Sequence, residues 1–126
     1  MKRQFLLLLT TVALLLPGLA QAQEDVPVLV STKWLAEHLG DDNLVVINVT
    51  MAYMGMPTAY IPGASYIDYH ELEQTVAEIP IEMPPVEHLQ AVFQKAGVSN
   101  DKHVVIYGVN AAYLAARAFM TLEWGK

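Results

Sequence analysis

The 126-residue sequence contains no cysteine. That absence excludes disulfides, thiolate metal sites and a cysteine nucleophile within this chain. Basic residues are also scarce, with seven Lys and Arg against thirteen Asp and Glu and a net charge of −6. A chain so charged attracts neither a phosphate backbone nor anionic headgroups, so nucleic acid and an anionic membrane surface are excluded as partners. There is no internal repeat and no low-complexity tract. The four histidines, His38, His70, His88 and His103, follow no HExxH or paired i, i+4 spacing. A chain of this length has room for one domain at most.

The longest hydrophobic run is "FLLLLTTVALLL", residues 5–16. Twelve residues are too few to span a bilayer. The run follows a basic "MKRQ" and precedes "PGLAQA", which ends in the small-residue pattern Ala20-Gln21-Ala22. This is the layout of a secretory signal peptide over residues 1–22, with cleavage expected after Ala22 and a periplasmic or secreted product. The alternative is an uncleaved anchor. No cysteine follows the run, so lipoprotein processing has no acceptor. Cleavage removes Lys2 and Arg3, leaving five basic against thirteen acidic residues and a net charge of −8.

The remaining chain, 23–126, alternates strand and helix signals. Ser31 is a good N-cap for a helix carrying Trp34, Leu35 and Leu39 on one face, and Gly40 fits its C-terminal end. "LVVINV", 44–49, is a β-branched apolar run of the kind buried on both faces of a parallel sheet. Residues 50–63 are irregular and end in the turn signal "IPG". "ASYI" is a short strand, "DYHELE" one helical turn, and "TVAEIPIEM", 75–83, has no clear period and reads as loop. Pro85 suits the first turn of a helix whose face is Val86, Leu89, Val92, Phe93 and Ala96, ended by Gly97. "HVVIY" is a second buried strand. Residues 111–124 form a third helix, apolar nearly all round and expected to be buried against the sheet, with Gly125 as its terminator. The alternation predicts an α/β fold with a mainly parallel sheet. A helix on such a sheet normally returns to a further strand, so the sequence also predicts a domain cut before its last strand.

Four segments in series, "LVSTKWLAEHLGDDNLVVINV", "YIPGASYIDYHEL", "PPVEHLQAVFQKAGVSNDKHVVIYG" and "AARAFMTLEWG", resemble the rhodanese domain. The likeness is specifically to the N-terminal domain of tandem-domain thiosulfate or mercaptopyruvate sulfurtransferases, and it covers nearly all of 29–126. It implies a three-layer α/β/α fold. It also implies transfer of a sulfane sulfur from thiosulfate or mercaptopyruvate to a thiophilic acceptor, with no cofactor. In that family a cysteine after the strand matching "HVVIY" carries the persulfide, and backbone N–H groups of the following loop stabilise its thiolate. Gly108 occupies that position here, so no catalytic residue is assigned. The equivalent loop is Gly108, Val109, Asn110 and Ala111. The family's usual Asp-Val-Arg is Asn48-Val49-Thr50, and its usual histidine before "IPGA" is Tyr60. The implied partner is a second rhodanese domain beyond Lys126, which would hold the cysteine and a small sulfur-containing substrate.

Other candidates are weighed on their residues. His70 with Asp68, Glu71 and Glu73 could be drawn as a metal or acid/base cluster; a solvated acidic face is the better reading, and no metal is assigned. Met51, Met54 and Met56 have the thioethers of a soft-metal site but also suit gap-filling. Asn48-Val49-Thr50 is a glycosylation sequon discounted because it ends a buried strand. Asn110 fits as the cap of the third helix. Arg117 is the only arginine after the leader. In an apolar helix it needs a carboxylate or carbonyl partner, which a structural contact or an inter-domain contact would supply. Two functions remain: the non-catalytic N-terminal half of an exported sulfurtransferase, or a catalytically inactive rhodanese-like binding module.

Overall fold

A computed structural model describes residues 27–109 and 111–125. The expected leader, its cleavage point and Asn110 lie outside the described residues. Helix α1, Thr32–His38, begins where expected, because Ser31 Oγ accepts the Trp34 N–H at 3.0 Å. The His38 ring stacks on Trp34 with centroids 4.0 Å apart, and its Nδ1 donates to the Trp34 carbonyl at 2.7 Å. Only Leu35 of this helix is buried. Gly40 does not adopt the left-handed conformation common at helix ends, and α1 stops on Leu39 in the right-handed region.

The sheet forms from β1, Leu44–Thr50, β2, Ser65–Asp68, and β5, His103–Tyr107. All three run parallel in the order β2-β1-β5. The turn before β2 is built from Ile61-Pro62-Gly63-Ala64. Pro62 fixes its entry, Gly63 takes φ 78°, and the Ala64 N–H closes on the Ile61 carbonyl at 3.0 Å. β1 is central and buried from Val46 to Thr50, as its unbroken β-branched run requires. β5 is only half-buried along its length, contrary to expectation, because it is an edge strand with one neighbour.

Residues 75–83 are not a loop. β3, Gln74–Val76, and β4, Ile79–Glu82, pair antiparallel across a two-residue turn. That turn needs positive φ at both positions, and Ala77 (48°) and Glu78 (70°) supply it without glycine or asparagine. Ile81 is also left-handed at φ 65°, an unfavourable setting for a β-branched residue. Gln74 Nε2 donates to the Met83 carbonyl at 2.8 Å and closes the base of the hairpin.

Helix α2 is Val86–Lys95, with Pro85 just outside it as N-cap. Its end is a Schellman motif. Gly97 at φ 97° donates to Gln94 at 2.9 Å, and the Val98 N–H reaches the Phe93 carbonyl at 3.0 Å. Helix α3, Ala112–Trp124, rests on the sheet by one stripe, Leu114, Ala118 and Thr121. The helix is buried against the sheet as expected, but only along that stripe; Tyr113, Phe119, Met120 and Trp124 are exposed. Gly125 is the right-handed C-cap at φ −83°. The main core joins Ile47, Val49 and Ile67 of the sheet to Leu72, Leu89, Phe93, Leu114 and Ala118. Strand side chains alternate, so the neighbours Val46, Asn48 and Thr50 point to the other face.

Candidate functional site

The loop from Gly108 to Ala111 joins β5 to α3, at the carboxyl end of the sheet. Its first residue is a glycine for lack of space. A Cβ on Gly108 would lie 2.7 Å from the Ala111 carbonyl oxygen and 3.5 Å from the Val49 carbonyl oxygen. The backbone there is not left-handed, so the close approach alone excludes a side chain. The residue before α3, Ala111, is buried and makes no side-chain cap bond. Val109 is half-buried beside it. The loop therefore carries no nucleophile and leaves no room for one at its first position.

Beside it the register assembles a second set of residues, of which the sequence singled out Asn48, Thr50 and Asp68 separately and missed Tyr66, Tyr107 and the grouping itself. Asn48 on β1 pairs Tyr66 on β2 and Tyr107 on β5, while Thr50 pairs Asp68. Residues paired across a ladder share a face, so these five polar side chains stand together at the carboxyl ends of three parallel strands. Open α/β sheets commonly bind ligands at that end. Tyr66 donates to Asp68 Oδ2 at 3.1 Å, and Tyr107 Oη accepts the Ile61 N–H at 3.2 Å. Asn48 is fully buried, and neither polar atom of its amide has a partner among the described residues. The available signals were the polar residue inside an apolar strand and its match to the family's usual Asp-Val-Arg. Its burial, with that of Thr50, closes the sequon to modification in the folded protein.

Burial, reinforced by the Asp68 carboxylate, pushes the Tyr66 hydroxyl from 10.0 up to about 12. Burial, then Glu73, also raises Tyr69. A raised phenol is protonated in both states below the unfolded value, so its contribution is intact there. Above pH 10 the unfolded chain ionises first, and stability falls until the folded group titrates near 12. Denaturation midpoints across this range are expected to fall more steeply for the wild type than for Tyr66→Phe; parallel curves would contradict the assignment. Tyr66 is 39 % exposed, so solvent screening makes the difference modest.

The acidic cluster is satisfied locally. Asp68 Oδ1 accepts the His70 N–H at 3.0 Å, and His70 Nδ1 meets Glu73 Oε1 at 2.8 Å. The Glu71 carbonyl takes a bond from His88 Nε2 at 2.9 Å. Among the described residues no group of three or more His, Cys, Asp or Glu is gathered to hold a metal. The methionines face different ways: Met51 is enclosed in the core, while Met54 and Met56 are about half exposed. Met54 Sδ accepts from the Tyr113 hydroxyl at 3.9 Å. Arg117 finds a carbonyl rather than an acid, its Nη2 donating to Ile81 at 3.0 Å, and so ties α3 to the hairpin. A concavity of about 710 Å³ between α2, β5 and α3 lies away from the loop, lined by Phe93, Val98, Phe119 and Leu122 among others. Among the described residues no helix is long and apolar enough to cross a membrane.

A parallel sheet flanked by helices, with a tight strand-to-helix loop at its carboxyl end, fits the rhodanese class of α/β domain. The chain is 29 % identical over 103 residues to a 3-mercaptopyruvate sulfurtransferase of Escherichia coli K12, covering 75 % of this chain and 37 % of that protein. It is 36 % identical over 99 residues to the sulfur carrier protein TtuD of Thermus thermophilus, covering 77 % and 33 %. With the thiosulfate sulfurtransferase of Rattus norvegicus it shares 33 % over 90 residues, covering 63 % and 30 %. No protein-family model matches the chain. The protein is a rhodanese-like relative of the 3-mercaptopyruvate and thiosulfate sulfurtransferases. It spans about a third of the length of the relatives it matches.

Proposed function

We propose that this chain is the non-catalytic N-terminal rhodanese-like domain of an exported sulfurtransferase. Sulfane sulfur would pass from thiosulfate or mercaptopyruvate to a thiophilic acceptor on a cysteine in a second rhodanese domain. The observation that carries this reading is Gly108, where the loop closes to 2.7 Å around the space a side chain would need. No cysteine elsewhere in the chain offers a substitute. The loop then has a structural role, fixing the junction of β5 and α3 beside the partner domain. The exposed Tyr53, Met54 and Tyr113 near the same end of the sheet suit contact with another protein surface. Those residues serve equally in the second reading, an inactive rhodanese-like binding module in the periplasm.

The purified chain is expected to form no thiocyanate from thiosulfate and cyanide. Turnover above a heat-denatured control would overturn the non-catalytic assignment. Reading the gene's frame past Lys126 separates the two functions, since a cysteine-bearing rhodanese domain there supports the first and a stop codon soon after one more strand the second. Export is supported by the basic, apolar and Ala-Gln-Ala segments of the leader. Mass spectrometry of the mature protein is expected to give a chain beginning at Gln23, and retention of Met1–Ala22 would sink the export proposal.

A further inference from the structure

With no cysteine in the chain, its thioethers are the sulfur groups open to an oxidant. Met51 is enclosed in the core, while Met54, Met56 and Met120 are 51 %, 49 % and 65 % exposed. Exposure alone does not separate the last three. A hydrogen bond does. Among the described residues only the Met54 sulfur has a hydrogen-bond partner, the Tyr113 hydroxyl at 3.9 Å. A thioether is a weak acceptor, and so long a contact leaves the sulfur lone pairs open to attack. Both ends of the contact are anchored. The Met54 N–H bonds the carbonyl of the enclosed Met51 at 2.9 Å, and Gly55, at φ 94°, ends the turn with its N–H on the Ala52 carbonyl at 3.2 Å. Tyr113 stands in the first turn of α3. The contact thus joins the segment after β1 to the start of α3.

We propose that Met54 is a modification site for two-electron oxidants of the peroxide class, and that its sulfoxide fastens the Ala52–Met54 turn to α3 rather than freeing it. A sulfur lone pair attacks one oxygen of hydrogen peroxide. The S–O bond forms as the O–O bond breaks, and the proton of the transferred oxygen passes to the departing hydroxide, which leaves as water. Sulfur is oxidised by two electrons and the peroxide is reduced. The new oxygen lies in the gap between the sulfur and the Tyr113 hydroxyl, where a separation of about 2.7 Å suits an O–H···O bond. A sulfoxide oxygen accepts far more strongly than a thioether, so a weak contact becomes an ordinary hydrogen bond. Sulfoxide formation disrupts a methionine packed in a core by making it polar. Met54 is half exposed and faces a donor, so that cost is small here. Met56 and Met120 have no donor beside the sulfur and gain no such bond. A partner docked over this surface would shield the sulfur, so the site belongs to the undocked chain.

The test treats the purified full chain with hydrogen peroxide, locates sulfoxides by peptide mass spectrometry and compares melting temperatures before and after. Met56→Leu and Met120→Leu are introduced together, which leaves Met54 the most exposed methionine among the described residues. Conversion at Met54 is expected to raise the melting temperature by roughly 4 °C, the size of one added hydrogen bond in a domain this small. The gain should vanish in Tyr113→Phe, which keeps the ring and removes only the donor. A Met54 that stays reduced under conditions that oxidise Met120 in the wild type overturns the site. So does a melting temperature that holds or falls on oxidation, or one that rises equally in Tyr113→Phe. Should the leucine variant fail to fold, the wild type and Tyr113→Phe, with Met56 and Met120 oxidised alike in both, make the same comparison.

Discussion

Replacing Gly108 with cysteine is expected to give a destabilised protein that still fails to transfer sulfur. The substitution restores the family's nucleophile to its matching position, so it is the obvious route to an active chain. The geometry opposes it. The first side-chain atom already lies 2.7 Å from the Ala111 carbonyl oxygen, well inside contact distance, and that oxygen is backbone. The Ala111 carbonyl also accepts the Leu114 N–H at 3.1 Å, so moving it disturbs the first turn of α3. Forcing atoms into a packed site costs about 1–3 kcal/mol. A small domain is stable by only about 5–15 kcal/mol. Gly108→Ala should lose nearly as much as Gly108→Cys, because the clash is with Cβ. Chemical denaturation of both variants measures this directly. An alanine variant as stable as the wild type would show that the loop opens freely, and a cysteine variant with thiosulfate turnover would show that the shape was ready for catalysis.

Asn48→Asp is expected to be at least as damaging at neutral pH. The family's usual residue here is aspartate, so the change looks conservative by resemblance. In this chain the side chain is fully buried, and neither polar atom of its amide finds a partner among the described residues. An aspartate would put a carboxylate there with no cation beside it, since the family's arginine two residues on is Thr50. An uncompensated buried charge costs about 3–5 kcal/mol. The carboxyl avoids part of that by staying protonated, so its folded pKa rises above the unfolded value of about 3.9. Below the unfolded pKa the acid is neutral in both states and the variant is least impaired. Stability is then lost as pH rises through the folded pKa. Asn48→Leu should be neutral or stabilising, because it removes an unpaired amide at similar volume. Melting curves of the three proteins from about pH 4 to pH 7 test the argument, and an aspartate variant unaffected at neutral pH would refute the unpartnered burial of residue 48.

The sequence carried the frame of this fold because its signals are local. Ser31 caps a helix by its own hydroxyl, Gly97 ends one by accepting a positive φ, and the Leu44–Val49 run is too apolar to lie anywhere but inside. The hairpin was illegible for the same reason. Its turn uses Ala77 and Glu78 where Asn-Gly would have announced it, and Pro80 interrupts the second strand. Tertiary contacts hold it instead, through Arg117 on Ile81 and Gln74 on Met83. The absence of a nucleophile at Gly108 was legible from composition, whereas the reason that position must stay glycine was not. The polar group around Asn48 depends on a three-strand register that no local pattern encodes. Which side of α3 is exposed was illegible, because an apolar stripe looks alike whether it faces a core or solvent.

The order of the strands also governs when the sheet can exist. β1 meets β2 after a short interval, Ile47 pairing with Ser65, but it meets β5 only when Val45 reaches Val104. Closing a loop roughly three times longer adds about 1 kcal/mol of chain entropy to the second pairing. Until residues 103–107 have been synthesised, β1 has one neighbour in its sheet, and a two-stranded sheet is at best marginal alone. During synthesis the nascent chain thus carries its most apolar strand without its second partner through the whole of the hairpin and α2. Only the arrival of β5 lets it close.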